Sequence, residues 1–412
     1  MANEDLTVNT NEARNTRSAS LATTSRTYEE AAFKAARRWS HLDSAACRDE
    51  LFDAKAQMRA AVYQNNIESY IGTVSIPVGL AGPLKIHGEA GTTEYRVPLA
   101  TTEAALVASY NRGARLLTAA GGCTARVVDQ GVSRTPMFAF ANLVDATRFT
   151  GFIESQYDKL HQIVAQATGH GKLLSAKSTI EGNNVYLDLR YSTGDACGQN
   201  MVTFVSDAIC VAILEHSPVT PRYWFLEANF SGDKKANAKA MADVRGKRVV
   251  AEITVSRELV REHLHTTPEH MVDYWYAGAI GGVLSGTIGI QGHFANGIAA
   301  LYLACGQDIA CVAESAVGVT RMETTDAGDL YTCVTLPNIM VGTVGGGTGL
   351  PSAKACLDLL GLAGPGNSIA LAEVCAGIVL AGELSIIGAF CSGDFAKAHR
   401  SLSRGEPMEG SK

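Results

Sequence analysis

The sequence predicts an α+β protein in which a small ferredoxin-like domain of β-α-β-β-α-β order lies between stretches of a larger, mostly helical α/β part. Three observations predict it. Segments within 136–230 switch between strand-like and helix-like periodicity in that order. The flanking segments carry helical spacing and long uncharged runs. The composition is also charge-poor and rich in small residues: 35 basic and 41 acidic residues make 18% of 412, and glycine supplies 41. Ordinary soluble chains carry about 25% charged residues.

A chain of this length has room for a sizeable core. With 46% hydrophobic residues and a net charge of -6, a disordered polymer is excluded. The acidic balance argues against nucleic-acid binding, and glycine without a period of three excludes collagen.

The elements follow in order. Residues 1–29 lack the apolar run of a secretory signal and read as a disordered tail. Residues 30–65 form a helical region, AAFKAARRW followed by DELFDAKAQMRAAVYQ. IGTVSIPVGLAGPLKIHG is loop-rich, and a helix is predicted over 101–120, capped by Thr101 or Thr102 with Glu103 in its first turn. PMFAFANLV alternates as a strand, and Asp145 to Ala167 is helical. LLSAKSTI and NNVYLDLRYS are strands joined at Glu181-Gly182-Asn183. Ala196 to Glu215 is a second helix, and PRYWFLEANF a last strand. Beyond it come a strand at KRVVAEITV, a helix at SRELVREHL, and a stretch from Asp273 to Asp308 with no charge between them. That stretch is long enough to span a bilayer. Its glycines and polar residues favour close helix packing in a soluble core instead, so no membrane span is predicted. The cluster GTVGGGTGL precedes helices at 351–362, 368–391 and 393–404.

The ten cysteines form no C-x-x-C pair, which fits reduced thiols in a cytosolic protein. His263, His265 and His270 cluster without a framing cysteine or acid, so no metal site is predicted. The nucleotide-binding G-x-G-x-x-G, the phosphate loop and the G-x-S-x-G elbow are absent.

Four polar groups stand out against apolar or glycine-rich surroundings. They are Glu103 in PLATTEAALVAS, Asp233-Lys234-Lys235 in ANFSGDKKA, Asp308 in YLACGQDIACV (read as an apolar helix), and His399 in the last helix. Singly, each has a structural explanation: a first-turn acid, a solvated turn, a paired core carboxylate, a surface imidazole. Together they suit reduction of a carbonyl or thioester. An ammonium stabilises the alkoxide that hydride attack creates, a carboxylic acid supplies the proton, and an imidazole titrates where a departing thiolate needs one.

At these residues the chain resembles the hydroxymethylglutaryl-coenzyme A reductase family, in the catalytic region of its class I type. The resemblance runs from about 60 to 404, through IESYIGTVSIPVGLAGPL, VPLATTEAALVASYNRGARL, STGDACGQNM, GDKK, GHFANGIAALYLACGQD, TVGGGTG and LAGELS. It implies four-electron reduction of the thioester to mevalonate and free coenzyme A with two nicotinamide cofactors. It casts Glu103 as general acid, Lys234 as oxyanion stabiliser, Asp308 as the carboxylate holding both in the right charge states, and His399 as proton donor to the thiolate. Arg134, Asp233 and Lys235 match the hydroxymethylglutaryl end, with His293, Asn296 and Glu68 on the substrate side. Ser109, Asn111, Arg112 and Arg115 match the coenzyme A side. Asp195, Ala196, Gly198, Gln199 and Asn200 match the nicotinamide turn, with Val344, Gly345 and Gly346 nearby. STGDACGQN also opens a predicted helix, whose N–H groups suit a pyrophosphate.

The resemblance further implies that 136–230 is a cofactor domain inserted in a discontinuous large domain, 66–135 and 231–412. It implies a homodimer or dimer of dimers with each active site built across the dimer. NADPH is the first expectation and NADH the alternative, because Gly169 stands where an arginine for the 2′-phosphate is expected; His170, Lys172 or Lys177 can substitute. Glu227 replaces a serine common in the family and would repel a substrate carboxylate unless it points away or pairs with a base. His265 stands where some members have lysine. Gly405 occupies the position of a regulatory serine, with Ser401 and Ser403 off register. With no anchor ahead of the catalytic region, a cytoplasmic enzyme without that switch is expected. The alternatives are a coenzyme A thioester hydrolase or transferase on the same pocket, which would release thiol without oxidising nicotinamide, and a non-catalytic binding protein.

Overall fold

The computed structural model describes residues 21–42 and 44–393. Residues 1–20 of the expected tail and the His399 helix lie outside them. The chain forms two compact units that divide after Ser75.

The first unit has four helices: α1 (Leu21–Trp39), α2 (Ala45–Leu51), α3 (Ala54–Met58) and α4 (Ala60–Gln64). Helix α1 begins inside the segment read as a tail. Its Ala31, Ala35 and Trp39 recur every fourth residue and are buried with Phe52, Ala56, Ala60 and Tyr70. Tyr70 stacks on Tyr63 at 5.3 Å, and Trp39 donates to the carbonyl of Ile71. Those contacts place 66–75 in this unit, ten residues beyond the expected end of the helical region at 65.

The second unit is built on a large mixed sheet. Its strands are β1 (Val78–Gly88), β2 (Gly91–Ala100), β3 (Cys123–Arg134), β4 (Met137–Ala139), β5 (Lys172–Glu181), β6 (Asn184–Ser192), β7 (Tyr223–Phe225), β8 (Gly246–Val255), β9 (Gly289–Ile290), β10 (Gly318–Thr324) and β11 (Leu330–Ile339). Its helices are α5 (Leu106–Ala119), α6 (Leu143–Ser155), α7 (Tyr157–Ala167), α8 (Gln199–His216), α9 (Arg257–Leu264), α10 (Pro268–Ser285), α11 (Phe294–Ala304), α12 (Val312–Ser315), α13 (Pro351–Leu360) and α14 (Ser368–Ser392). The segment expected to be ferredoxin-like has that topology: β7, β4, β6 and β5 lie side by side and antiparallel, with α6–α7 and α8 as the crossovers. Along β6, Val185, Leu187, Leu189 and Tyr191 are buried and alternate with less buried residues.

Strand β3 joins the two parts of the sheet. Its residues from Thr124 to Gly131 pair with β8, and its last three residues, Val132–Arg134, pair with β6. Arg134 therefore sits at the junction. On the other side β8 pairs with β11, β11 with β10, and β10 with β9, while the β1–β2 hairpin joins at β3. The uncharged 273–308 stretch is divided among α10, β9 and α11.

Helix α14 is 25 residues long, and 83% of its most apolar window is buried within the unit. Among the described residues it is the one helix long and apolar enough to cross a membrane, and here it is the core. It crosses α5 at Gly113, where a Cβ would collide with the carbonyl of Ala381.

Candidate active site

Lys234 lies in a turn with φ +56°, a left-handed conformation that costs a side-chain-bearing residue about 1 kcal/mol or more. The turn is held by the carboxylate of Glu314, which accepts from the Lys234 N–H at 3.1 Å. This aims the ammonium at Asp308, 2.8 Å away. Hydrogen bonding to Asp308, and then its charge, raise the Lys234 pKa against the opposing effect of burial, so the group stays an ammonium at neutral pH. Asp308 does not lie within an apolar helix as expected. Helix α11 ends at Ala304, Gly306 turns the chain at φ +65°, and Asp308 caps the short 3-10 turn Ile309–Cys311 through Ala310 N–H at 3.0 Å. A cap position fixes the carboxylate better than a helix face would.

Glu103 also departs from expectation. The hairpin pairing of β2 with β1 runs through Ala100, so the next helix starts only at Leu106, after Ala105 at φ +67°. Glu103 thus lies in an exposed loop rather than a first helical turn. Its carboxylate oxygens accept from Asn296 Nδ2 at 3.1 and 3.0 Å. Asn296 is in the first turn of α11, and the same helix leads on to Asp308, so one element links the two pairs.

Behind Lys234 is a buried ionic cluster. Arg134 contacts Asp233 at 3.1 Å and Glu227 at 3.3 Å. Arg245 contacts Asp233 at 2.7 Å and Glu314 at 2.5 Å, and donates to Gln199. Burial pushes the Asp233 carboxyl up, but Arg245 and Arg134 outweigh it and hold Asp233 below its ordinary value. Burial pushes Glu314 up even with Arg245 beside it. Lys235 turns its ammonium to the Asp233 carbonyl at 3.0 Å. Arg245 and Glu314 escaped the sequence reading, because nothing local marks a charge whose partners lie tens of residues away.

His293 stacks on Tyr110 with ring centroids 5.0 Å apart, and its Nδ1 lies 3.4 Å from Glu383. Glu383 is fully buried in α14. It accepts from the N–H groups of Gly292 at 2.7 Å and His293 at 2.8 Å, and from the Thr320 hydroxyl at 2.6 Å. It was missed too, although a carboxylate in the apolar run of α14 was a visible signal. Ser109 and Arg112 both bond Ser385 on the same helix, Arg112 also through the Ser385 carbonyl at 2.6 Å. Asn111 accepts from Gly82 N–H, and Arg115 is exposed. Glu68 is exposed in the first unit.

The cofactor candidates form a second cradle. Ala196 bridges Val344, and the Asp195 carbonyl accepts from Thr343 N–H at 2.8 Å, so the turn before α8 and the 343–346 strip are joined. The Asp195 carboxylate is spent on the N-terminus of α14, accepting from Gly366 at 2.7 Å and Ser368 at 3.1 Å. These bonds outweigh burial and hold it below its ordinary value. Gly198 precedes α8 at φ +78° with no capping side chain, and Asn200 is exposed in the first turn. Gly345 and Gly346, at φ +74° and +54°, have open space where a Cβ would stand. An uncapped helix start beside an open glycine strip suits a pyrophosphate. Among the described residues Lys234 thus meets Asp308, Glu103 meets Asn296, Arg134 meets Asp233 and Ala196 meets Val344, while His399 lies outside them.

A clamped ammonium, a carboxylate held by an amide and a glycine-lined anion cradle on an α+β scaffold define an oxidoreductase-type site for an activated carbonyl. The family model described as hydroxymethylglutaryl-coenzyme A reductase matches residues 34–404. The chain is 44% identical over 346 residues to the 3-hydroxy-3-methylglutaryl-coenzyme A reductase of Pyrococcus horikoshii, covering 82% of this chain and 84% of that one. It is also 44% identical over 350 residues to that of Aeropyrum pernix, covering 84% and 83%. A solved structure of the class II reductase from Streptococcus pneumoniae, bound to NADPH in open conformations, aligns with a TM-score of 0.66 at 20% identity, covering 87% and 96%. The chain belongs to the hydroxymethylglutaryl-coenzyme A reductase family.

Proposed function

We propose that this chain reduces the thioester of 3-hydroxy-3-methylglutaryl-coenzyme A to mevalonate at the Glu103–Lys234–Asp308 site, consuming two NADPH. The observation that carries the reading is the Lys234–Asp308 ion pair at 2.8 Å; the Glu103 carboxylate is held separately, by Asn296. The nicotinamide, when bound, supplies hydride. The Lys234 ammonium stabilises the oxyanion that develops on the carbonyl oxygen, and Glu103 donates the proton that makes the alcohol. Asp308 keeps Lys234 charged through both reductions. His399 protonates the departing thiolate. Arg134, Asp233 and Lys235 take the acyl end with His293 and Asn296, while Ser109, Asn111, Arg112 and Arg115 take the coenzyme A side. The uncapped start of α8 (Gly198, Gln199, Asn200) and Ala196, with Val344–Gly346, hold the nicotinamide cofactor. Asp195 acts by fixing that turn to α14.

Residues 136–230 act as the cofactor domain, inserted in the larger domain formed by the rest of the second unit. We read the type as class I from the motif series between 60 and 404. A homodimer sharing each site and a cytoplasmic location complete the reading; the latter is supported by α14 serving as core and by ten unpaired cysteines. Absorbance at the reduced-nicotinamide band, followed with this thioester and NADPH or NADH in separate reactions, tests it. Oxidation of NADPH with mevalonate and thiol as products is expected, with NADH the slower cofactor. Thiol release without oxidation of either cofactor would instead support a hydrolase or transferase.

A further inference from the structure

Arg134 closes β3 where that strand passes from β8 to β6, and it is only 8% exposed. A cation this buried depends on its partners. Its Nη1 meets Asp233 and Glu227, its Nη2 donates to Thr203 at 3.1 Å, and its Nε is buried with no partner. One guanidinium thus faces two carboxylates. Asp233 is shared with Arg245 at 2.7 Å. Glu227 is the surplus acid, and it is anchored. One of its oxygens accepts from Ala228 N–H at 3.1 Å, and the other from Thr135 N–H at 3.3 Å. It therefore points neither away nor into water, but sits fixed against the cation that an anionic acyl end would need.

We infer that Glu227 is a specificity-determining residue: its carboxylate competes for Arg134 and weakens capture of an acyl chain ending in a carboxylate relative to one with an uncharged end. The inference rests on the proposed reading of Arg134 as the acyl-end cation. A substrate carboxylate must displace Glu227 from Arg134 or accept a like charge beside it, and both raise KM. A neutral acyl end meets neither cost.

The test compares 3-hydroxy-3-methylglutaryl-coenzyme A with 3-hydroxy-3-methylbutanoyl-coenzyme A, which lacks the free carboxylate, on wild type, Glu227→Gln, Glu227→Ser and the charge-keeping Glu227→Asp. In Gln and Ser, KM for the anionic thioester is expected to fall about tenfold, with the change greater in KM than in kcat. KM for the neutral thioester stays within about twofold, and Glu227→Asp stays nearer wild type. An unchanged or higher KM for the anionic thioester in both folded variants, or equal shifts for both thioesters, overturns the inference. If wild type oxidises no nicotinamide with the anionic thioester, the reductase reading has failed instead. Calorimetric binding of free 3-hydroxy-3-methylglutarate and 3-hydroxy-3-methylbutanoate then still decides on Glu227. Tighter binding of the first acid alone in Glu227→Gln supports the competition, and no change or weaker binding overturns it.

Discussion

Lys234 and Asp308 separate a catalytic contribution from a structural one at the scale of single residues. Their side chains are 42% and 37% exposed, so solvent screens the pair and its share of stability is at most about 1 kcal/mol. The sign follows from the raised Lys234 pKa: that share is complete below the pKa of an unfolded lysine and is lost as pH rises through the folded value. Near neutrality it is intact. Asp308→Asn removes the hydrogen-bond and charge effects of Asp308 that raise Lys234 most, leaving burial opposed only by the smaller charge effects of Cys311 and Asp233, so its pKa falls. The alkaline limb of the kcat profile is therefore expected to move to lower pH, while kcat at neutral pH falls about 100-fold or more and the urea midpoint barely shifts. Lys234→Ala, lacking a titrating ammonium, should give a low kcat with no such moving limb. A limb that stays put in Asp308→Asn would show that Asp308 does not set the lysine's charge state.

At the scale of elements, close approach of helices does much of the packing, and two glycines in helices make opposite predictions. A Cβ on Gly113 of α5 collides with the backbone carbonyl of Ala381 in α14, and a helix backbone cannot give way as a side-chain tip can. Gly113→Ala is expected to cost about 1–3 kcal/mol in urea unfolding. Gly151, inside α6, has nothing within 4 Å of its notional Cβ, and there alanine should stabilise by about 0.5–1 kcal/mol. Equal effects at the two sites would mean that composition, not the α5–α14 crossing, explains the glycines. The sequence showed small-residue packing and the β-α-β-β-α-β order, because β5, β6 and α8 carry clear periodicity within short windows. It concealed β1, β2 and β11, because prolines interrupt their alternation. Pro83 and Pro337 fall where the pairing register shifts, between Ala81 and Leu84 and between Leu336 and Ile339, and Pro98 lies within β2. Lys234, Asp308 and Glu103 were legible by residue type and motif. What fixes them was not, since Glu314 reaches Lys234 and Asn296 reaches Glu103 across the fold. Glu227 was visible as an oddity, and only the Arg134 contact turned it into a competitor.

At the scale of the whole molecule, the question is whether one chain supplies a complete site. Glu103 is tied to Asn296 and Lys234 to Asp308, and the proposed dimer combines such groups from two protomers. Glu103→Gln and Lys234→Ala are each expected to be inactive alone. Co-expressed with different tags, the two variants form mixed dimers. If each site draws Glu103 from one protomer and Lys234 from its partner, every mixed dimer holds one intact site and one doubly defective site. Random pairing makes half the dimers mixed, so about a quarter of wild-type activity should return. Tandem-tag purification of the mixed species should raise that to about half. If both groups serve the site of their own protomer, each site keeps one defect and no activity returns at any mixing ratio. Recovery in the purified mixed dimer, with neither parent active, is the outcome that the shared-site reading requires.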